Sequence, residues 1–198
     1  MIETHPFEIF VPPNAKYLIL GSFAAKEAMK DHPKFDDSYD WYYGTRRNQF
    51  WPILEAVYNM ELRDKQSKQD LFTRLGIGIG DIIYQVERDK DSSLDYYLRN
   101  PAYNKDAIAH VVDNNLIHNI FFTSRFVEKR FSREFKEIIN PHPTIGLITL
   151  PSPSTRYARM SLEQKITRYE ELLPKFSKSR HQSLENPSLT ARLTPLIS

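Results

Sequence analysis

The sequence predicts an α/β fold, a three-layer α/β/α sandwich around a central, mainly parallel four-stranded sheet. Three observations carry that prediction. Four short apolar runs are spaced through the chain, helical patterns separate them, and 198 residues is the length of one domain. Residues 1–176 are expected to form that domain, with 177–198 as a polar tail. Hydrophobic residues at 40% and aromatics at 13% are enough to close a core.

The runs are residues 17–20 (YLIL), 77–84 (IGIGDIIY), 119–123 (NIFFT) and 144–150 (TIGLITL). They are near-continuous rather than alternating, as strands buried on both faces are. Gly76, just before the second run, alternates with Gly78 and Gly80 inside it, which suits close packing and not a phosphate-binding GxGxxG loop. The first helical pattern, 48–58, puts Phe50, Ile53, Leu54 and Val57 at helical spacing. Others follow at 65–75, at 105–114 behind Asn104 as N-cap, and at 128–139 with Phe131, Phe135, Ile138 and Ile139 on one side. The last, 161–173, opens on a capping box of Ser161 and Gln164. Residues 24–47 have no clean period and are expected to be a long ordered loop or lid. A loop of that length is uncommon unless functional.

Composition narrows the function. With no cysteine there is no disulfide framework, thiolate zinc site, cysteine-ligated cluster or cysteine nucleophile. No apolar run nears the ~20 residues of a membrane span. The opening MIETHPFEIF does not read as a secretory leader, and a cytoplasmic location is expected. A net charge of +2 is too small to argue for nucleic acid by itself. The argument therefore rests on where particular residues fall.

In an open parallel sheet, ligands bind beyond the carboxyl ends of the strands. Each run here leads into a small or polar cluster: Gly21-Ser22-Phe23-Ala24, Asp81, Thr123-Ser124-Arg125, and Pro151-Ser152-Pro153-Ser154-Thr155-Arg156. Four such clusters on one edge suit a phosphate-bearing ligand, although ordinary strand-end turns have the same composition. The segment WYYGTRRNQFWPIL, 41–54, adds flat aromatic faces for a base and Arg46 and Arg47 for phosphates. On physics alone Asn48 reads as a helix cap, and Phe50 and Trp51 as core.

At these residues the chain resembles the uracil-DNA glycosylase superfamily. Gly21-Ser22-Phe23 follows the first strand, Tyr42-Tyr43-Gly44 precedes Arg47-Asn48-Gln49-Phe50-Trp51, and Leu150-Pro151-Ser152-Pro153-Ser154 follows the last strand. The match spans about residues 17–173 and is nearest the branch of hypoxanthine-DNA (deoxyinosine) glycosylases and mismatch-specific uracil glycosylase relatives. The resemblance implies a monofunctional, metal-independent DNA glycosylase of base excision repair, needing no cofactor. Its partner would be DNA containing a damaged base, flipped out and removed by hydrolysis of the N-glycosidic bond. The base would be hypoxanthine, uracil or xanthine. Phe23 falls where many relatives carry a catalytic Asp or Asn. In the hypoxanthine branch that position is also apolar, and an asparagine matching Asn48 takes the role. The resemblance further implies that Tyr43 stacks on the base and that Gly21, Ser22 and Phe23 line the pocket. Pro151, Ser152, Pro153, Ser154 and Thr155 would press on the strand, beside Arg156. Departures are Leu150 where many relatives have His, Ala24-Ala25 for Pro-Gly, and Thr123-Ser124 for Asn-Gly.

Asp81 is a further pocket candidate, able to orient water or cap a turn. Arg125 heads a basic run with Lys129, Arg130 and Arg133, either a solvated face or a DNA-facing patch. The six histidines, His5, His32, His110, His118, His142 and His181, show no metal-ligand spacing and read as structural or solvated. An isolated monomer is the default. Two other readings stand beside the enzyme: a catalytically degenerate nucleic-acid-binding module of the same fold, and an enzyme of free nucleotides or nucleosides.

Overall fold

The four apolar runs do form one parallel sheet. The computed structural model describes residues 2–29, 39–90, 92 and 94–176, so the expected tail and the centre of the 24–47 loop lie outside the described residues. In chain order the elements are β1 (Ile2–Thr4), β2 (Tyr17–Gly21), α1 (Phe50–Tyr58), α2 (Lys65–Leu75), β3 (Ile77–Asp81), β4 (Ile83–Arg88) and β5 (Leu98–Tyr103). They continue with α3 (Lys105–Asn114), β6 (Asn119–Phe122), α4 (Arg125–Glu134), α5 (Lys136–Ile139), β7 (Gly146–Thr149) and α6 (Leu162–Leu172). The main sheet runs β3-β2-β6-β7, all parallel, with Tyr17 paired to both Ile77 and Asn119, and Asn119 to Gly146.

Alternation along the strands sorts the core into two layers. Ile19, Ile79 and Phe121 pack on one face against Phe50, Ile53 and Leu54 of α1, Leu71 and Phe72 of α2, and Tyr169 of α6. Leu18, Leu20, Ile120 and Phe122 pack on the other against Ile108 and Val112 of α3 and Val127 and Phe131 of α4. Leu18, Ile19 and Leu20 are all fully buried, and each is worth about 1.5–3 kcal/mol of transfer free energy. Two helix starts match their sequence signals. Ser161 and Gln164 form a reciprocal capping box, and the helix at Lys65–Leu75 has one from Asp64 and Ser67. Among the described residues no helix is long and apolar enough to cross a membrane.

Several boundaries differ from the sequence expectation, among them that of the last strand, expected over 144–150 and found at Gly146–Thr149. The 77–84 run is two strands: β3 stops at Asp81, and β4 leaves to pair antiparallel with β1 and β5 in a second, three-stranded sheet. Ile82 and Ile83 are both buried, so the apolar run continues while the chain changes sheets. Their N–H groups donate to the carbonyls of Gly21 and Ser22, fixing the turn that follows β2. The expected 128–139 helix begins earlier, at Arg125 behind a Ser124 cap, and breaks at Phe135, whose backbone leaves the helical region. The expected 48–58 helix begins at Phe50. Asn104 sits at its expected cap position without a side-chain cap bond.

The N-terminal segment closes the β3 edge. Phe10 and Ile79 exchange backbone hydrogen bonds at 2.9 Å, antiparallel to the strand. A Cβ on Gly80 would meet Ile9 at 2.7 Å, so the glycine run does serve close packing there. Gly76 differs, because it ends α2 in the left-handed conformation at φ 66°.

Candidate functional site

The floor of the site is the carboxyl end of β2. A Cβ on Gly21 would lie 2.1 Å from the Tyr43 hydroxyl and 2.2 Å from Asp81 Oδ1, so only glycine lets those two groups converge. Tyr43 sits at φ 58°, its ring against Phe50 at 4.4 Å between centroids and its hydroxyl 3.0 Å from Thr123 Oγ1. Burial, and then the charge of Asp81, push this phenol well above its ordinary value. Asp81 is buried. Its Oδ2 meets His5 Nε2 at 2.8 Å, and its Oδ1 has no partner among the described residues. The N-terminal segment runs antiparallel past β3 and β4, with Phe10 beside Ile79 and the His5 N–H donating to the Tyr84 carbonyl, and from there the His5 side chain reaches Asp81. His5 is thus buried and structural, as its type suggested, but it acts on a residue of the site. Its ring also packs edge-on against Phe23, with centroids 5.4 Å apart.

Two loops form the lips. Asn48 Oδ1 accepts from the Phe50 N–H at 2.9 Å, so the side chain does cap the helix, from one residue before its N-cap. Gln49 N–H donates to the Pro153 carbonyl at 2.8 Å, and Asn48 forms a bridge with Ser154. Behind them, α6 presents Lys165 and Tyr169 four residues apart on one face. Lys165 Nζ donates to Gln49 Oε1 at 2.7 Å and to the Ser154 carbonyl at 3.0 Å, while the Tyr169 hydroxyl donates to the Pro151 carbonyl at 2.9 Å. Both side chains are fully buried. Burial pulls the Lys165 ammonium below its ordinary value and pushes the Tyr169 phenol up.

The remaining wall pairs Ser22 with Asp95. Ser22 Oγ donates to Asp95 Oδ1 at 2.5 Å. Burial, then the neighbouring Asp81, raise the Asp95 carboxyl, against the opposing pull of Ser22, Arg88 and Arg130. These pieces enclose a cleft of about 790 Å³, within the size range of small-molecule sites.

Of the residues singled out by sequence, Ser22, Phe23, Tyr43, Arg46, Arg47, Asn48 and Asp81 line this cleft, with Ser152, Pro153, Ser154, Thr155 and Arg156 opposite. Arg46, Arg47 and Arg156 are exposed at its rim. Three expected members lie outside the lining. Gly21 packs beneath it against Tyr43 and Asp81, Arg125 is the exposed first residue of α4, and Pro151 turns its carbonyl to Tyr169. Leu150 is core, as are Phe50 and Trp51. Among the described residues no group of three or more His, Asp or Glu could hold a metal ion.

Sequence reasoning missed His5, Asp95 and Lys165 as parts of this site. Lys165 had a signal, a lysine four residues before Tyr169 on a helix face that is otherwise apolar. His5 and Asp95 had none, because their partners lie 76 and 73 residues away.

No family model and no curated protein matches this chain. Among solved structures, it is similar to the solution NMR structure of a protein from Methanosarcina acetivorans that is named, provisionally, as a uracil DNA glycosylase. The identity is 19% and the TM-score 0.60, over 87% of this chain and 96% of that one. The two chains share a fold.

Proposed function

We propose that this protein is a monofunctional DNA glycosylase that hydrolyses the N-glycosidic bond of a deaminated base, hypoxanthine, uracil or xanthine, flipped out of DNA. The observation that carries the reading is the convergence of Ser22-Phe23, the Tyr43–Asn48 loop and the Ser152–Arg156 loop on one cleft. The shared fold with a chain named as a uracil DNA glycosylase supports it. In this reading the bond from C1′ to the base breaks with its electron pair leaving on the base, and water attacks C1′. Asn48 orients that water. Its Oδ1 accepts from Phe50, which fixes the amide plane, and a carbonyl oxygen has a second lone pair to offer. Tyr43 stacks on the base, and Arg46, Arg47 and Arg156 meet phosphates around the rim. The reaction so drawn needs neither metal nor cofactor.

The test is a cleavage assay on labelled oligonucleotides carrying uracil, hypoxanthine, xanthine or no lesion, single- and double-stranded, with alkali to break abasic sites. Expected is cleavage at one lesion, reduced at least about a hundredfold in Asn48→Ala that still melts as a folded protein. Wild-type rates in Asn48→Ala would refute the role given to Asn48. No abasic product at enzyme excess, with salt-sensitive DNA binding retained, would make the protein a binding module of this fold. Activity on free nucleosides without DNA would point to the third reading.

A further inference from the structure

Hydrolysis of a glycosidic bond leaves an electron pair on the departing base, and a positioned proton donor accelerates that step. Besides Lys26, Glu27, Tyr39 and Tyr157 in its lining, the cleft offers few proton donors. Among the described residues no histidine lines it, and His5 is committed to Asp81 behind the wall. The Tyr43 hydroxyl lies on Thr123, and the Tyr42 hydroxyl donates to the Glu8 carbonyl. Asp81 turns one oxygen to His5 and encloses the other. Asp95 also lines the cleft, where Ser22, a neutral donor, holds one of its oxygens at 2.5 Å.

We propose that Asp95 is the general acid of this site, giving its carboxyl proton to the departing base, with Ser22 as the positioning residue that fixes the carboxyl. The inference rests on the glycosylase reading. In the step, the bond from C1′ to the base nitrogen breaks and its electron pair passes to the base. The proton moves from Asp95 to the ring nitrogen or carbonyl oxygen where charge builds. Water adds to C1′ and gives up a proton, and Asp95 is reprotonated from solvent. The surroundings of the carboxyl, taken together, shift it toward its protonated form. Burial and the Asp81 carboxylate favour the protonated form, while Ser22, Arg88 and Arg130 favour the ionised one. Tyr43, whose phenol also senses Asp95, stays protonated.

The experiment is single-turnover excision as a function of pH, on whichever lesion the wild type cleaves, for wild type, Asp95→Asn and Ser22→Ala. A second substrate carries a base activated as a leaving group: 5-fluorouracil in place of uracil, or 7-methylhypoxanthine in place of hypoxanthine, corrected for spontaneous loss. Expected for the wild type is a rate that falls as pH rises through the Asp95 titration. Asp95→Asn should lose about 10²- to 10⁴-fold on the ordinary lesion and lose that alkaline limb. Its deficit should shrink at least about tenfold on the activated base, a rescue that a merely structural role would not give. Ser22→Ala removes a bond that favours the ionised carboxyl, so its limb should move to higher pH. Asp95→Asn within about threefold of wild type, an equal deficit on both bases, or an unmoved limb in Ser22→Ala overturns the assignment while leaving the glycosylase reading intact. A wild type that cleaves no lesion overturns both.

Discussion

Gly21→Ala tests the geometry of the cleft floor without reference to any substrate. The added Cβ would lie 2.1 Å from the Tyr43 hydroxyl, 2.2 Å from Asp81 Oδ1 and 3.2 Å from Tyr43 Cζ. Neither neighbour has room to yield. The Tyr43 ring rests on fully buried Phe50 and its hydroxyl on Thr123, while Asp81 is held by His5. Overpacking of this kind costs roughly 1–3 kcal/mol. Displacing the hydroxyl from Thr123 adds about 0.5–1.5 kcal/mol. A loss of about 2–4 kcal/mol follows, which in a domain of this size lowers Tm by roughly 5–15 °C. The assay is thermal and urea unfolding of wild type, Gly21→Ala, Tyr43→Phe and the double variant. Tyr43→Phe deletes the nearest clashing atom, so in the Gly21→Ala background it should restore about 1 kcal/mol, although alone it removes a hydrogen bond. A Gly21→Ala protein melting within about 2 °C of wild type, or strictly additive single effects, would refute the reasoning.

Two further outcomes follow from the buried polar groups. Lys165→Met keeps the side-chain length but strands Gln49 Oε1 and the Ser154 carbonyl without their shared donor. It should cost about 1–3 kcal/mol in urea unfolding and weaken lesion DNA binding, and unchanged values for both would mean that Lys165 does not tie the lips. Alkaline stability is the second. Tyr42 and Tyr169 are fully buried with phenols pushed above their ordinary value, so the unfolded chain ionises first. Their contribution is present below about pH 10 and is lost above it, at about 1.4 kcal/mol per pH unit for each. Lys165, with its ammonium pulled down, works in the opposite sense just below that window and offsets part of one such step. Urea unfolding repeated from neutral to strongly alkaline pH should show this fall, and a flat profile above pH 10 would contradict the burial of these phenols.

What the sequence made legible was whatever is written locally. The strands at the sheet centre, the Ser161–Gln164 cap and the bounds of Lys65–Leu75 and Lys105–Asn114 depend on neighbours a few residues apart, and the pattern carries them. The second sheet was not legible. Its central strand begins inside an apolar run, and β1 is only three residues long. The break at Phe135 was hidden because Phe131 and Phe135 stack at 4.8 Å across it, keeping the apolar stripe in step while the backbone leaves the helix. At the site, the lining residues share strand ends and motif loops, so the topology alone gathers them. The residues that tune them do not. Lys165 reaches Gln49 across 116 positions, and no window along the chain contains both.

Beside the Lys165 side-chain tie, part of the seam between the lips is made of main chain. Gln49 contributes an N–H and Pro153 a carbonyl, groups that almost any residue could supply at those places, apart from a proline at position 49. Side chains facing the cleft can therefore be exchanged without unfastening it. Asn48 and Ser154 sit beside the seam, and their identities are separable from its integrity. For anyone wishing to redirect the chemistry, this makes the cleft a chassis whose fittings can be swapped while its frame holds.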